Sequence, residues 1–211
     1  TAGHHRGIER VRDIVQAAPR LGVAHLTLFA FSTENWHRPN YEIRVLMSLM
    51  RRYIVREIDE VDRADVRVTF IGHRARLPRD LQRLMAQVED RTAGNGGLHV
   101  QVALSYGSRS EIVDAVRGLA ARVAAGEIAA EAIDETAVAG ALHTAGTPDP
   151  DLVIRTSGEM RVSNFLLWQV AYAEFAFVEE CWPDFTAERF AALLDDFARR
   201  DRRFGRVAAR G

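Results

Sequence analysis

Runs of apolar, β-prone residues alternate along the chain with segments whose apolar residues recur at helical spacing. The short apolar runs predict buried strands at residues 25–31, 66–71, 98–105, 151–155 and 174–178. Helical periodicity predicts helices at residues 8–18, 41–61, 78–91, 110–124, 131–142, 164–173 and 187–199. Strands that alternate with helices indicate an α/β fold with a mainly parallel central sheet flanked by helices. No linker interrupts the pattern, so we predict a single domain over residues 1–211.

Polar residues follow the predicted strands. The first strand is followed by Ser-Thr-Glu-Asn-Trp-His-Arg-Pro at 32–39, and the third by Tyr-Gly-Ser-Arg at 106–109. The fourth is followed by Thr-Ser-Gly-Glu-Met-Arg at 156–161. Ligands of open α/β sheets bind beyond the carboxyl ends of the strands. The sequence therefore predicts a binding site at that edge of the sheet.

Composition narrows the classes of protein that remain. The formal net charge is −1, which argues against nucleic-acid binding through bulk charge. The single cysteine, Cys181, excludes a disulfide framework and fits a reducing compartment, so we expect a cytoplasmic protein. No apolar run approaches the roughly 20 residues that span a bilayer. All 28 Lys and Arg positions are arginine, so an anion site would use guanidinium groups.

The segment from Arg155 to Asn164 is the sharpest local feature. Arg155 closes a predicted strand, Arg161 follows a glycine-containing turn, and Ser163 is a suitable N-cap for a helix that begins at Asn164. Two guanidinium groups beside the amino end of a helix suit a phosphate or diphosphate. The alternative is that both arginines pair with Glu159 and nearby aspartates.

Several other residues are open to two interpretations. Trp36, in the loop after the first strand, is either a site residue or part of a satellite core. Arg38, in the same loop, is either a site residue or a surface charge. His4 is either a phosphate contact or an exposed residue, and the adjacent His4 and His5 do not predict a zinc site. Glu174 lies in an apolar stretch, which is costly for a carboxylate unless it is paired or binds a hard cation such as Mg2+.

Two charged segments near the carboxyl end of the sequence need separate treatment. Arg203, within the segment 202–205, is by itself most simply part of a basic tail. Asp195 and Asp196 resemble the aspartate-rich motif of trans-prenyl synthases, which are all-helical proteins. This chain is rich in predicted strands, and the helical pattern buries the neighbouring leucines instead. We therefore predict that these two aspartates lie on an exposed helix face.

Taken together, the segments resemble the cis-prenyltransferase family, most closely its bacterial undecaprenyl diphosphate synthases. The matching segments occur in the family's order at 26–39, 92–98, 106–109, 151–175, 182–185 and 202–205. The resemblance implies a homodimer with a hydrophobic tunnel that condenses isopentenyl diphosphate with farnesyl diphosphate in the presence of Mg2+. It implies a long-chain polyprenyl diphosphate, undecaprenyl diphosphate, as a product for the cell-wall lipid carrier. An apolar product also suggests transient contact with the inner membrane surface.

The resemblance also implies roles for individual residues. The residues implied to bind the isopentenyl diphosphate head group are Arg155, Arg161 and Ser163. The residue implied to bind magnesium is Glu174. The residues implied beside the reacting carbons are Asn35 and Arg38, with Asn35 linked to proton removal. The same loop contains Ser32, a further catalytic residue, and Trp36, a substrate-binding residue. Three further residues are implied to contact phosphates. His4 would lie near the allylic diphosphate, and Arg203 and Gly205 would reach a phosphate bound in the partner subunit. Those that could line the tunnel, or simply form the core, are Ala30, Met47, Met50 and Leu98.

The chain departs from the family pattern at two places. It starts at Thr1 and lacks the family's N-terminal strand and its Asp-Gly-Asn-Gly-Arg loop, which we expect the natural protein to possess. Met160 stands where some members carry a metal-binding histidine, and a thioether is a poor magnesium ligand. Two alternatives remain open: a cis-prenyltransferase of different product length, and a non-catalytic partner subunit of the same fold.

Overall fold

The computed structural model describes the backbone of residues 2–200 and the side chains of residues 6–200. The strands are β1 (His25–Ser32), β2 (Arg67–Ile71), β3 (His99–Tyr106), β4 (Leu152–Arg155) and β5 (Glu174–Phe177). The α-helices are α1 (Ala2–Ala17), α2 (Asn40–Arg63), α3 (Arg79–Thr92), α4 (Ser108–Ala124), α5 (Glu135–Ala141) and α6 (Ala187–Ala198). All five predicted strands are confirmed to within two residues at each end.

Every strand pairing among the described residues is parallel. The strands form a three-stranded sheet of order β1-β3-β2 and a two-stranded sheet of β4 and β5. The prediction of a parallel α/β fold is therefore confirmed, although the described strands belong to two sheets. β1 carries a bulge at Ala30, because Phe29 pairs with Ala103 and Phe31 with Leu104. Bulges re-aim the residues that follow them, here the end of β1.

The residues gather into two compact units. The larger unit comprises residues 23–148 and 163–168, and the smaller unit comprises the chain up to 22, 149–162 and the chain from 169 onward. In the larger unit, α3 packs against β2 and α2, with Leu81 and Met85 almost fully buried. In the smaller unit, Ile14 and Phe185 are among the most deeply buried side chains. No helix among residues 2–200 has the length and apolar character needed to cross a bilayer.

The predicted helix at 164–173 is wrong, and with it the role of Ser163 as its N-cap. Residues 163–172 form consecutive turns and bends. Ser163, Asn164 and Leu166 have φ angles of 52°, 61° and 49°, in the left-handed region that a right-handed helix excludes. The physical reason is tertiary, because both the backbone and the side chain of Asn164 are hydrogen-bonded to a neighbouring loop.

The predicted helix at 131–142 is shorter than its periodicity suggested. A 3₁₀ turn at Ala130–Ala132 precedes α5, which begins only at Glu135. Asp134 has an extended backbone, and its carboxylate accepts a hydrogen bond from the Ala137 N–H at 2.8 Å. A side-chain N-cap of this kind fixes the first residue of a helix, which apolar spacing alone does not define.

Candidate functional site

The loop that follows β1 holds the first group of predicted site residues, all within the larger unit. A 3₁₀ turn, Thr33–His37, begins directly after Ser32. The Ser32 N–H donates to Asn35 Oδ1 at 2.9 Å, while the Ser32 hydroxyl accepts from the Asn35 N–H. This reciprocal capping box fixes the orientation of both side chains. The structure thus brings together two residues that the sequence predicted to lie near the reacting carbons.

Trp36 anchors this loop to the carboxyl end of β3. Its indole N–H donates to Ser105 Oγ at 2.9 Å, and its ring meets Phe31 edge-on at 5.1 Å. The Arg76 guanidinium lies 5.2 Å from the ring centroid, within cation–π range. Half-buried Trp36 therefore acts as a satellite core residue that holds the loop, whereas Arg38, two residues later, is exposed.

Asn164 joins three loops of the larger unit. Its Nδ2 donates to Glu34 Oε1 at 2.9 Å, and its Oδ1 accepts from the Arg109 N–H at 2.8 Å. Its backbone carbonyl accepts from the Ser108 N–H at 2.8 Å. The side chain and backbone of one residue thus connect the segment after β4 and the loop after β1 to the first residues of α4, which follow β3 directly.

Glycine at 107 permits this close approach. A Cβ at this position would lie 2.4 Å from Thr33 Oγ1 and 2.7 Å from Asn164 Nδ2, well inside contact distance. Burial raises the pKa of Glu34, but hydrogen bonds from Asn164, its own backbone, Thr33 and Ser32 outweigh burial and lower it. The carboxylate is consequently ionised when it accepts from Asn164. We expect Gly107→Ala to push these loops apart.

Sequence reasoning missed the roles of Glu34, Gly107 and Asn164. Asn164 was assigned to a helix because the residues after it are apolar at helical spacing. One signal was available: asparagine adopts the left-handed conformation more readily than most residues. The contact partners of Asn164 lie 55 to 130 positions away along the chain, so only the tertiary structure could reveal them.

A buried polar network supports the loop after β3. Tyr106 is fully buried, and its hydroxyl donates to Glu111 Oε2 in the first turn of α4. The other oxygen, Glu111 Oε1, accepts from the His143 N–H at 2.9 Å. Burial, followed by the hydrogen bond to Glu111, raises the pKa of Tyr106 well above its ordinary value. The tyrosine is therefore a permanent donor, and the network ties β3, α4 and the segment after α5 together.

Arg155 and Arg161 lie in the smaller unit, on either side of one carboxylate. Arg155 Nη2 pairs with Glu159 Oε2, and Arg161 Nη2 lies 2.6 Å from Glu159 Oε1. The hydrogen bond from Arg155 is the main reason that the pKa of Glu159 is lowered. This is the pairing that the sequence offered as the alternative to an anion site. It also holds two guanidinium groups close together, where an incoming diphosphate could compete with a single carboxylate.

Glu174, the predicted magnesium ligand, opens β5 and forms an ion pair. Its Oε2 accepts from Arg200 Nη1 at 3.0 Å, and the side chain is 27% exposed. Within residues 6–200, no group of three or more His, Cys, Asp or Glu side chains could hold a metal. Mg2+ commonly takes only one or two protein carboxylates and completes its shell with water and phosphate oxygens. A partly exposed carboxylate therefore fits this ion, whereas the 78% exposed thioether of Met160 does not.

The two aspartates that resemble a trans-prenyl synthase motif lie on an exposed face of α6, as predicted. Asp196 Oδ2 is 2.6 Å from Arg200 Nη2, one turn further along. These hydrogen bonds lower the pKa of Asp196. Asp196 is therefore part of a surface ion-pair network in which Arg200 also pairs with Glu174.

Three predicted phosphate-binding residues cannot be placed. His4 lies within the backbone of α1, but its side chain is outside the described residues. Arg203 and Gly205 also lie outside the described residues. Their roles stay predictions, as does the role of Ser163 in binding a head group.

The predicted tunnel residues differ in their exposure. Met47 and Leu98 are each 2% exposed, Met50 is half-buried, and Ala30 is exposed. Ala30 is the extra residue of the β1 bulge. The neighbouring apolar residues Leu26, Leu28 and Val102 are only half-buried, although Val102 lies on the central strand. Part of the apolar sheet face is thus left accessible.

Comparison with known proteins identifies the family. The sequence profile of the prenyltransferase family described as undecaprenyl diphosphate synthase matches residues 1–205. The chain is 50% identical over 206 residues to an isoprenyl transferase of Agrobacterium fabrum, covering 98% of this chain and 83% of that protein. An isoprenyl transferase of Geobacter sulfurreducens is 49% identical over 207 residues, covering 98% of this chain and 84% of the relative.

Solved structures agree with the sequence match. A lavandulyl diphosphate synthase from Lavandula x intermedia, in complex with dimethylallyl diphosphate, superposes with a TM-score of 0.93 at 34% identity, covering 96% of this chain and 87% of that one. A probable undecaprenyl diphosphate synthase from Campylobacter jejuni superposes with a TM-score of 0.85 at 32% identity, covering 96% and 93%. This chain belongs to the undecaprenyl diphosphate synthase family and is a prenyltransferase.

Proposed function

We propose that the protein condenses isopentenyl diphosphate units with farnesyl diphosphate in cis and makes undecaprenyl diphosphate for the cell-wall lipid carrier. The observation that carries the proposal is the set of loops joined by Asn164 at the carboxyl ends of β1 and β3, where ligands of such sheets bind. The loops hold Ser32 and Asn35 in a fixed mutual geometry. We further propose that the protein works as a cytoplasmic homodimer that contacts the membrane transiently to release product.

The chemistry requires charge stabilisation and positioning. The double bond of isopentenyl diphosphate attacks the allylic carbon of the primer, the carbon–oxygen bond to diphosphate breaks, and a proton leaves the new unit. Arg155 and Arg161 would bind the isopentenyl diphosphate head group by displacing Glu159, because a diphosphate carries more charge than a carboxylate. Holding both substrates in register removes much of the entropic barrier. Asn35, held by Ser32, would position the reacting carbons.

Magnesium fits a partly exposed carboxylate, and Glu174 is the residue that would hold it. Bound Mg2+ would supply positive charge against the phosphate oxygens. In the described structure Glu174 is paired with Arg200, so the arginine would have to share the carboxylate or release it. His4, Arg203 and Gly205 are proposed to contribute further phosphate contacts.

Labelled isopentenyl diphosphate tests the proposal when supplied with farnesyl diphosphate and Mg2+ to the complete protein. We expect butanol-extractable product that requires Mg2+ and contains about eleven isoprene units. A product of another length would support cis-prenyl elongation with a different tunnel. Absence of incorporation by folded protein, with any allylic primer, would instead favour a non-catalytic partner subunit.

Product length should respond to the size of residue 30. Ala30 is exposed at the bulge, next to a half-buried apolar face, and we propose that this face lines the tunnel with Met47, Met50 and Leu98. Replacing Ala30 with Val, Leu and Phe should shorten the longest product stepwise, because larger side chains fill the space that the growing chain needs. Chromatographic sizing of the products measures this.

The matched control for this series is Ala121→Leu, an exposed position on α4. It should leave the product distribution unchanged. Constant product length across the Ala30 series, with activity retained, would show that the tunnel does not pass this residue.

Removing the Asn164 side chain should impair turnover through the loops that it joins. Asn164→Ala loses the hydrogen bonds to Glu34 and to the Arg109 N–H. A shift of about 1 Å in catalytic loops can lower rates roughly 100-fold, and we expect a fall in kcat/KM of that order. Steady-state kinetics under Mg2+ saturation measure it.

Glu34 provides the control for this interpretation. Glu34→Gln keeps an oxygen that accepts from Asn164 Nδ2, so it should retain most of the activity, whereas Glu34→Ala should not. In a double-mutant cycle, Asn164→Ala and Glu34→Ala should be far from additive. Additive effects, or equal losses in Glu34→Gln and Glu34→Ala, would contradict a positioning role for the pair.

A further inference from the structure

A cleft of about 590 Å³ lies in the larger unit, and none of the residues that line it is among those proposed to bind or position substrate. It is lined by His25, Arg67 and His99, the first residues of β1, β2 and β3. Its volume falls in the range typical of small-molecule sites. The lining also includes Ile71 and Arg74, at and beyond the carboxyl end of β2, so the cleft runs along the sheet from the amino ends of the three strands.

The sheet face inside the cleft is polar in all three strands. The strands begin His-Leu-Thr-Leu, Arg-Val-Thr-Phe and His-Val-Gln-Val, with the same alternation in register. One row across the sheet therefore contains His25, His99 and Arg67, and the next contains Thr27, Gln101 and Thr69. A parallel sheet buried on both faces usually has nearly continuous apolar strands. The third row, Phe29, Ala103 and Ile71, is apolar, so the two polar rows at the amino ends of the strands mark the part of this face that contacts water or a polar ligand.

The acceptor groups of the cleft are already satisfied inside the protein. Gln101 Oε1 accepts from Thr27 Oγ1 at 3.5 Å, and its Nε2 donates to Thr147 Oγ1 at 2.9 Å. Glu89 Oε2 accepts from Arg74 Nη1 at 2.6 Å, and Glu89 Oε1 accepts from the Phe70 N–H at 2.9 Å. The one carboxylate that lines the cleft is thus neutralised by an arginine.

Two nitrogen groups of the cleft, the Arg67 guanidinium and His143 Nδ1, have no hydrogen-bond partner among the described residues. Within residues 6–200 the Arg67 guanidinium has no hydrogen bond or ion pair. His143 Nδ1 is buried and likewise lacks a hydrogen-bond partner among the described side chains. The His25 and His99 rings meet edge-on at 5.6 Å, and His99 Nε2 contacts Thr69 Oγ1 at 2.8 Å. A ligand with several anionic oxygens would supply the hydrogen-bond acceptors that these nitrogen groups lack.

Electrostatics point the same way. Burial, followed by repulsion from Arg67 and His25, lowers the pKa of His99. Burial also lowers the pKa of His143, with an added contribution from His73 and Arg74 that Glu111 and Asp114 oppose. In addition to burial, the positive charge of Arg67 disfavours protonation of His99, and a bound anion would offset that charge. An anion bound beside His99 would therefore favour its protonated form.

We propose that this cleft binds a phosphate or diphosphate group between Arg67, His25 and His99. The guanidinium would donate two parallel hydrogen bonds to the anion, and the imidazoles would donate one each when protonated. Neither Arg155 nor Arg161 lines this cleft, and the proposed anion site does not depend on the proposed function. The same chemistry could come from a free phosphate or diphosphate ion or from the head group of a prenyl diphosphate.

Imidazole NMR of the complete protein tests the proposal without any measurement of activity. The probes are inorganic phosphate, inorganic diphosphate and dimethylallyl diphosphate, each compared with sodium chloride at equal ionic strength. His25→Gln and His99→Gln assign the two resonances. We expect saturable shifts of both resonances and a rise in the pKa of His99 on binding, so the affinity should increase as the pH falls from 8 to 6.

Variants separate this cleft from other anion sites. Arg67→Gln should weaken binding at least tenfold, because it removes the one permanent charge of the row, while Arg122→Gln, an exposed arginine on α4, should not change it. The response should persist in Arg155→Ala. Equal shifts with chloride, no saturable shift at 10 mM of any probe, or an unchanged response in folded Arg67→Gln would overturn the proposal. A response only to dimethylallyl diphosphate would support the site and assign it to a prenyl head group.

Discussion

Glu111→Ala should lower the free energy of unfolding by about 3 kcal/mol, since it removes the acceptor of the buried Tyr106 hydroxyl and of the partly buried His143 N–H. Glu111 is 1% exposed and accepts from the Tyr106 hydroxyl and the His143 N–H. Each buried donor left unsatisfied costs roughly 1–3 kcal/mol, and the lost side-chain volume adds to this. Urea unfolding followed by circular dichroism measures the change.

Two companion variants separate the network from helix effects. Tyr106→Phe removes only one donor and keeps the ring, so it should cost less than Glu111→Ala, about 1 kcal/mol. Arg117→Ala, whose side chain is 78% exposed on the same helix, should change stability by under about 0.5 kcal/mol. A loss below about 0.5 kcal/mol in Glu111→Ala would mean that solvent replaces the network.

Arg155→Ala should lower kcat/KM for isopentenyl diphosphate by roughly 10²–10³. The substitution removes a charge-assisted hydrogen bond to the proposed head group. It also leaves Glu159, now paired only with Arg161, as a negative charge close to an incoming diphosphate. Steady-state kinetics with varied isopentenyl diphosphate and saturating farnesyl diphosphate measure the loss, which should appear largely in KM for isopentenyl diphosphate.

The control for Arg155 is Arg122→Ala, which removes an exposed arginine of α4 paired with Glu127. It should behave like the unmodified protein. Arg155→Lys should fall between the two, because an ammonium keeps the charge but not the planar fork of donors. Less than a threefold effect of Arg155→Ala, in folded protein, would remove this residue from the diphosphate site.

Local pattern predicted the strands and most of the helices because burial selects residues by position. The apolar, β-prone run at 25–31 forms a strand although only Phe31 in it is buried, and α2 carries a stripe whose Ile43 and Met47 are buried. The pattern failed at 164–173, where apolar residues occur at helical spacing but the chain turns. Hydrogen bonds from Asn164 to loops distant in sequence hold that segment in left-handed conformations that propensity disfavours.

The chemistry of the site divides in the same way. Sequence motifs identified Arg155, Arg161, Glu174 and the loop from Ser32 to Arg38, because guanidinium and carboxylate groups after strands are visible without a fold. Motifs offered pairing of the two arginines with Glu159, and of Glu174 with an arginine, only as alternatives, and they did not identify Arg200 as the partner of Glu174. Which charge meets which depends on rotamers and neighbours.

The sequence by itself determined the parallel α/β class, the strand order along the chain and the family, because these depend on periodicity and on contiguous motifs. Only the tertiary structure decided that Asn164 joins three loops, that Glu111 holds Tyr106 and His143, and that His25, His99 and Arg67 form one row. Apart from the Tyr106–Glu111 hydrogen bond, these contacts join residues far apart in sequence. Their geometry is fixed by strand register and loop packing, which no local pattern contains.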